Sequence, residues 1–314
     1  MPESLARVGI VVRTKNRPGL LTRALDDIAA QDYADWAVLI VNDGGDGGTV
    51  DAAVAALAPE VRGRIQVNHN PTSLGRSAAA NQGVTGLGTE FVVLHDDDDL
   101  WHPAFLARTV GWLDAHPADI GVAARTEIVY EEQRADGGFA EVGRAPFWSD
   151  VHEILYSDLL AVNRFVPIAY LYRRKLHDEV GLYREDIHAA EDWEFNLRTA
   201  IGHSIGFLDG PPLAFWMQRI GVDGALGNSM FTLAHDHVAF DRLIRDEALR
   251  EYAAAHGPGL ALYLTDYIDG AVRDAVRDVL REELGRELDK RPSDLQRIAR
   301  RLRGWVPRRR TAGS

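Results

Sequence analysis

Apolar positions in the first hundred residues fall into short continuous runs that alternate with stretches of helical spacing. Val8-Gly9-Ile10-Val11-Val12-Arg13 is rich in β-branched residues and polar only at its end, the pattern of a strand buried on both faces of a parallel sheet. Pro18 suits a first helical turn, and Leu20, Leu21, Ala24, Leu25 and Ile28 then recur at helical spacing as far as Gln31. A second buried strand is predicted over 37–41, closed by Asn42-Asp43-Gly44-Gly45-Asp46-Gly47-Gly48, where the chain must turn sharply. A helix over about 50–57, a third strand over 64–67, an Ala-rich helix around 77–84 and a fourth strand over 91–94 continue the alternation. Strand and helix in turn predict a doubly wound α/β layer.

Beyond it the pattern gives a helix over 103–116, one strand over 120–130 and a polar turn at Ala135-Asp136-Gly137-Gly138 that reads as a hairpin. Residues 151–160 and 191–201 read as helical and 168–172 as extended. From about Ala239 the spacing is helical nearly to the end, broken at His256-Gly257-Pro258-Gly259 and Lys290-Arg291-Pro292, and a domain boundary is expected near residue 235.

In an open sheet of this type ligands bind beyond the carboxyl ends of the strands. Here those ends carry Thr14, Asp43 and the run Asp96-Asp97-Asp98-Asp99. Four consecutive carboxylates repel one another unless a cation compensates, and a divalent metal is the simplest compensator. A bare acidic run is otherwise a solvated loop. This one follows Val92-Val93-Leu94 and precedes Leu100-Trp101-His102-Pro103, which sets it among the polar groups of one sheet edge.

Composition narrows the picture. The 314 residues are 46% hydrophobic, enough to build a core and to exclude a disordered chain. A net charge of −12 argues against binding nucleic acid through phosphate neutralisation. The acidity is uneven, because residues 297–314 hold seven arginines and no acid. With no cysteine, only His, Asp and Glu remain as strong metal ligands, so a metal here is expected to be hard and oxygen-bound. Residues 1–7 lack a signal-peptide pattern and no window of about 18 apolar residues occurs, so a cytoplasmic location is expected.

Five stretches, in order, carry a resemblance to a known family. They are Val11-Val12-Arg13-Thr14-Lys15-Asn16-Arg17-Pro18; Val41-Asn42-Asp43-Gly44-Gly45; residues 70–83 with Gly75, Arg76, Asn81 and Gly83; residues 94–103 around the four aspartates; and Ala190-Glu191-Asp192-Trp193-Glu194. Together they resemble glycosyltransferase family 2, nucleotide-sugar enzymes of the GT-A fold. The resemblance implies a Rossmann-like, mainly parallel sheet flanked by helices over 1–235, with a nucleotide-binding half (1–103) and an acceptor-binding half (104–235). A helical C-terminal extension with an Arg-rich tail would follow over 236–314.

The resemblance also implies an inverting, metal-dependent transfer of sugar from a nucleoside diphosphate donor, most commonly UDP, to an acceptor hydroxyl. Asp96 and Asp98 would form the DxD pair that engages nucleotide and metal, Asp98 as direct ligand. His95 stands where the family has an apolar residue, which keeps Asp99 as a second metal candidate. Thr14, Arg17, Asp43, Arg76 and Asp97 would line the nucleotide site, and Mn²⁺ or Mg²⁺ would be the cofactor. Asp192 matches the family's general base. Glu191 beside it is expected to point elsewhere on the helix and to act on the acceptor or on Asp192. His235 or His237 would complete the metal shell, and Arg219 would meet phosphate ahead of a Gly-rich loop over 221–228 that closes on the donor.

The acceptor is expected to be a glycan, a lipid-linked acceptor or a small molecule. The amphipathic positions Leu262, Ile268, Val272, Val276, Val279, Leu280, Leu284 and Leu288 suit packing on the catalytic domain or on a second copy in a homo-oligomer. The arginines interleaved with Leu302, Trp305 and Val306 suit a helix on the inner face of an anionic membrane, against a solvated tail or an intrachain partner for the acidic body. A nucleotidyltransferase would need a Gly-rich triphosphate loop near the N-terminus, which residues 14–19 do not provide. A non-catalytic nucleotide-sugar-binding module is argued against by the presence of Asp96, Asp98 and Asp192. An Asp-nucleophile phosphatase would place its aspartate after the first strand, where Arg13-Thr14 stands.

Overall fold

The computed structural model describes residues 6–222, 224–227 and 234–290. The chain divides into two compact units, Met1–Ile244 and Arg245–Ser314. The first is built on a seven-stranded sheet. β1 (Val8–Thr14) pairs in parallel with β2 (Trp36–Asp43) on one side and β4 (Phe91–Asp96) on the other, and β3 (Ile65–Asn70) lies outside β2. All seven residues of β1 are buried, as its unbroken apolar run dictates for a central strand. Past β4 come β9 (Tyr170–Arg173), β6 (Asp119–Ala124) and β10 (Ser204–Leu208), with β9 antiparallel to both neighbours. A second sheet orders β5 (Leu100–Trp101), β11 (Ala214–Arg219), β7 (Thr126–Gln133) and β8 (Phe139–Pro146).

The strand expected over 120–130 is two strands, one in each sheet. The chain crosses at Arg125, whose Nε donates to Asp209 Oδ1 at 2.9 Å and whose Nη1 donates to the Trp148 carbonyl at 3.3 Å. β6 is buried from Ile120 to Ala124 and β7 only in part, so the crossing depends on these tertiary partners rather than on a local period. The expected hairpin is present as β7–β8, with Gly137 at φ +85° in its turn.

Helices cover the large sheet. α1 (Pro18–Ala29) buries Leu20, Leu21, Ala24, Leu25 and Ile28, the positions its spacing predicts. α2 (Gly47–Ala55) is capped by Asp46, which accepts from Gly48 N at 2.9 Å, and the short α3 (Pro59–Arg62) leads into β3. α4 (Arg76–Gly86) lies so close to the sheet that a Cβ at Gly83 would overlap Val11 and one at Gly86 would come within 2.5 Å of Leu39 Cδ2. α5 (Phe105–Ala115), α6 (Tyr156–Ala161), α7 (Leu176–Val180) and α8 (Glu191–Gly202) complete the layer. The helix expected over 151–160 is thus confined to α6, and one 3₁₀ turn at Pro167–Ala169 takes the start of the segment expected to be extended.

α9 (Ala234–His256) and α10 (Gly259–Lys290) are separated at the predicted Gly-Pro-Gly break. In α10, Leu262, Ile268, Val272, Val276, Val279, Leu280 and Leu284 are exposed. The Leu288 side chain and the arginine-rich segment lie outside the described residues. Among the described residues no helix is long and apolar enough to cross a membrane.

Candidate active site at the carboxyl edge of the sheet

Parallel pairing brings the ends of three central strands together, with Thr14 in register with Asn42 and Arg13 with Asp96. A cavity of about 420 Å³ opens there, lined by Thr14, Arg17, Asp43, Arg76, Asp96 and Asp97 among others. At its far end the Asp43 carboxylate accepts four hydrogen bonds: Asn70 Nδ2 at 3.0 Å, Ser73 Oγ at 2.6 Å, Leu74 N at 2.8 Å and Gly75 N at 3.0 Å. Burial alone would raise this carboxyl, but the four donors outweigh it and hold it below the usual carboxylate range. Asp43 therefore moulds the loop at 70–75, and a ligand would bond to its carboxylate only by exchanging one of these donors. Gly44 sits at φ +76°, and a side chain there would collide with the Ser73 backbone, so glycine is required for the approach.

The four aspartates occupy a tight turn between β4 and β5, closed by Asp99 N donating to the Asp96 carbonyl at 3.3 Å. Arg23 of α1 pins the turn by donating to the Asp98 carbonyl at 3.1 Å, while its other arm meets Glu131 at 2.6 Å. The side chains diverge. Asp96 takes both arms of Arg13, each at 2.8 Å; Asp97 takes the Thr14 hydroxyl at 2.7 Å and Arg17 at 3.1 Å. Asp98 meets Arg17 at 3.3 Å and Arg219, and Asp99 accepts from Met217 N at 2.9 Å. His95 is buried edge-on against Trp101 with ring centroids 4.4 Å apart, filling the place an apolar residue would take.

Asp96, Asp98 and Asp99 each present a carboxylate oxygen within 4.8 Å of the others, a hard-oxygen set that fits a divalent cation. Burial, then the Asp98 charge, pushes the Asp97 carboxyl up to about 7, and the same causes in the same order push Asp99 well up. A cation bound here would relieve that repulsion. Arg219 is wholly buried, paired with Asp98, and donates to the Leu226 carbonyl at 2.6 Å; Arg17 reaches the Gly227 carbonyl at 3.5 Å. The described part of the Gly-rich loop is thereby fastened to the aspartate turn. Asp223 and Asn228 lie outside the described residues.

A second cavity, about 290 Å³, shares Arg76, Asp96 and Asp98 with the first. It is also bordered by Glu191, Asp192, Trp148, Trp216, Gln218 and His237. α8 meets it with its first turn, after Ala190 at φ +62°, so Glu191 and Asp192 both border it rather than diverging as their adjacency predicts. Glu191 is buried and paired with Arg76 at 3.0 Å and Arg13 at 3.9 Å. Asp192 Oδ2 accepts from Asn163 Nδ2 at 2.8 Å, and Asn163 Oδ1 accepts from Asn196 Nδ2 at 3.0 Å, which fixes the amide's orientation. Burial, then the charge of Glu191, raises the Asp192 carboxyl to about 6 against the opposing pull of Arg76. His237 is half-buried on the cavity wall, its imidazole lowered by burial and then by Arg76. His235, two residues earlier, is exposed and borders neither cavity.

Arg13, Asn163, Gln218 and the aromatic wall of Phe147, Trp148 and Trp216 were not expected at the site. Arg13 ends a run of buried apolar residues and Gln218 interrupts Ala214-Phe215-Trp216-Met217, so each is a polar residue in a strand that otherwise packs inward. That oddity is the signal available for them. Asn163 and Trp148 come from irregular chain and carry none.

Comparisons agree with this architecture. The chain is 33% identical over 194 residues, 62% of its length and 68% of the relative's, to the uncharacterized glycosyltransferase YwdF of Bacillus subtilis (strain 168). Its fold is similar to that of S. aureus TarS 1-349 in complex with UDP-GlcNAc (TM-score 0.55, 18% identity, covering 81% of this chain and 75% of that one). It is also similar to that of mannosyltransferase PcManGT from Pyrobaculum calidifontis in complex with GDP-Man and Mn²⁺ (TM-score 0.51, 20% identity, covering 86% of this chain and 82% of that one). The model of glycosyl transferase family 2 matches residues 9–180, which include the four aspartates and all the named lining residues of the first cavity. The chain belongs to that family, and it is a glycosyltransferase of the GT-A type.

Proposed function

We propose that this glycosyltransferase moves a sugar, with inversion, from a nucleoside diphosphate donor, UDP-linked in the first instance, to an acceptor hydroxyl in the assembly of a cell-surface glycan or glycoconjugate. The observation that carries this is that the two cavities meet at Asp96 and Asp98, with Asp192 bordering the second. A donor lying in the first cavity would place its diphosphate at the shared wall and its sugar toward Asp192. The solved relatives of the same fold hold UDP-GlcNAc in one case and GDP-Man with Mn²⁺ in another, which supports a nucleotide-sugar donor.

Thr14, Arg17, Asp43, Arg76 and Asp97 would form the nucleotide side. Asp98 and Asp96, with Asp99 as the third carboxylate, would hold Mn²⁺ or Mg²⁺. The bound cation would supply Lewis acidity and charge compensation for the leaving diphosphate. Arg219 and Arg17, already paired with Asp98, are placed to exchange that carboxylate for phosphate oxygens once the cation takes it. Asp192 would accept the proton of the acceptor hydroxyl as that oxygen attacks the anomeric carbon opposite the leaving group. Its raised carboxyl favours this role, since a base with an affinity near neutral pH takes a proton that an ordinary carboxylate leaves in place. Glu191 pairs with Arg76 at the shared wall, and His237, which borders the second cavity, would be the histidine candidate for the metal shell.

Thermal shift against UDP-, dTDP- and GDP-sugars, with and without Mn²⁺, tests the reading in the wild type and in Asp98→Ala. The expected result is a nucleotide shift enlarged by Mn²⁺, with the Mn²⁺ increment lost in the variant. If no nucleotide stabilises the wild type, or if the variant keeps the full metal-dependent shift, the assignment fails.

A further inference from the structure

The second cavity contains a group that nothing within the described residues satisfies. Gln218 is 3% exposed, and neither its Oε1 nor its Nε2 has a hydrogen-bond partner among the described residues. A buried primary amide left with both ends unpaired is destabilising and is rare in folded proteins. Its neighbour on the same face of β11, two residues earlier, is Trp216, and both side chains line the cavity. Trp216 is held edge-on by Phe147, with ring centroids 5.5 Å apart at 83°. Trp148 is held more tightly still. It sits at φ +53°, a left-handed conformation that costs a bulky residue energy, with its Nε1 donating to the Asn163 carbonyl at 2.9 Å and the Arg164 guanidinium 4.9 Å from its ring centroid.

We propose that Gln218 and the Trp216–Trp148 wall form a pyranoside subsite, so that the acceptor is a saccharide whose ring packs on tryptophan and whose hydroxyl beside the attacking one pairs with the Gln218 amide. The inference rests on the glycosyl-transfer reading for the identity of this cavity as the acceptor side. A sugar hydroxyl both donates and accepts, as the amide does, and the apolar C–H face of a pyranose suits a rigid aromatic wall. An alkyl chain or an unsubstituted aromatic ring would cover the tryptophans and leave the amide unpaired. A phosphate would meet the carboxylates Asp192, Glu191 and Asp99 along the same wall.

The test uses the full chain with UDP and Mn²⁺ and reads saturation-transfer NMR against methyl β-D-glucopyranoside, methyl β-D-galactopyranoside, methyl α-D-mannopyranoside and methyl α-L-rhamnopyranoside. Methyl 4-hydroxybenzoate and octanol serve as apolar probes. At least one pyranoside is expected to bind, and Gln218→Leu and Trp216→Ala are each expected to weaken it by about tenfold. The melting temperature of Gln218→Leu should equal or exceed that of wild type, because the substitution removes an unpaired buried amide. A purely structural glutamine gives the opposite sign, so a fall of several degrees, or failure of that variant to fold, overturns the proposal. So does binding of the apolar probes alone, or unchanged pyranoside affinity in both variants. The nucleotide thermal shift of the same samples separates the two readings. Its absence in wild type, with Gln218-dependent pyranoside binding intact, leaves the saccharide subsite standing and removes the proposed nucleotide-donor reading.

Discussion

At the scale of single residues, the environment of Asp192 decides what this site does with pH. Its carboxyl is raised to about 6 by burial and by Glu191, so it is increasingly protonated below that value and unable to accept a proton. The kcat/KM of transfer is therefore expected to rise with pH through an acidic limb of apparent midpoint near 6. A limb near 4 would mean that the base is an ordinary exposed carboxylate. Asp192→Asn should keep donor binding and lose roughly 10²–10⁴ in transfer rate; undiminished transfer would remove it as base. Asn163 donates to Asp192 from an amide locked by Asn196, and Asn163→Ala should lower kcat while leaving the nucleotide thermal shift unchanged. The Glu-Asp pair was singled out through the family resemblance, since an acidic pair at the start of a helix is by itself only favourable to the helix dipole. Asn163 was not, since it lies in irregular chain 29 residues away and only the fold brings it to Asp192.

Elements explain why the site is so compact. α4 carries Arg76 on its first turn, and Arg76 borders both cavities and pairs with Glu191. The helix can hold that position because Gly83 lets its backbone approach Val11 of β1. Gly83→Ala is expected to destabilise by about 1–3 kcal/mol through overpacking, against the small gain that alanine gives a helix interior. Denaturant unfolding measures it, and a neutral or stabilising result would show that α4 can lift without cost. The α/β alternation, the buried face of α1 and the hairpin were all legible, because each rests on a local period. The division of residues 120–130 between two sheets was not. β6 is buried from Ile120 to Ala124 while β7 mixes buried, half-buried and exposed positions, and what divides them is the set of partners that Arg125 finds at Asp209 and Trp148, both distant in sequence.

On the scale of the whole molecule, the net charge of −12 resolves into parts with different physics. The aspartate turn is compensated from within by Arg13, Arg17 and Arg219, and seven further arginines stand at residues 297–310. Among the described residues, those lining the two cavities lie in the unit that ends at Ile244. The last of them, His237 and Asp241, sit on the first turns of α9, where Phe240 and Ile244 pack with Ile187 and Trp193 beside the Asp192 helix. The start of α9 thus belongs structurally to the site. A chain ending at His256, which keeps α9 whole and stops at the glycine-proline break, should therefore fold. It should also retain the full nucleotide and Mn²⁺ thermal shift and a thermal transition near that of the intact protein. Loss of the nucleotide shift in a folded truncated chain would show that residues 257–314 act on the donor site. Ending the chain at Gly227 instead should abolish the packing at Trp193, and the acceptor side is then expected to fail first, because Asp192 and Trp193 share the first turn of α8.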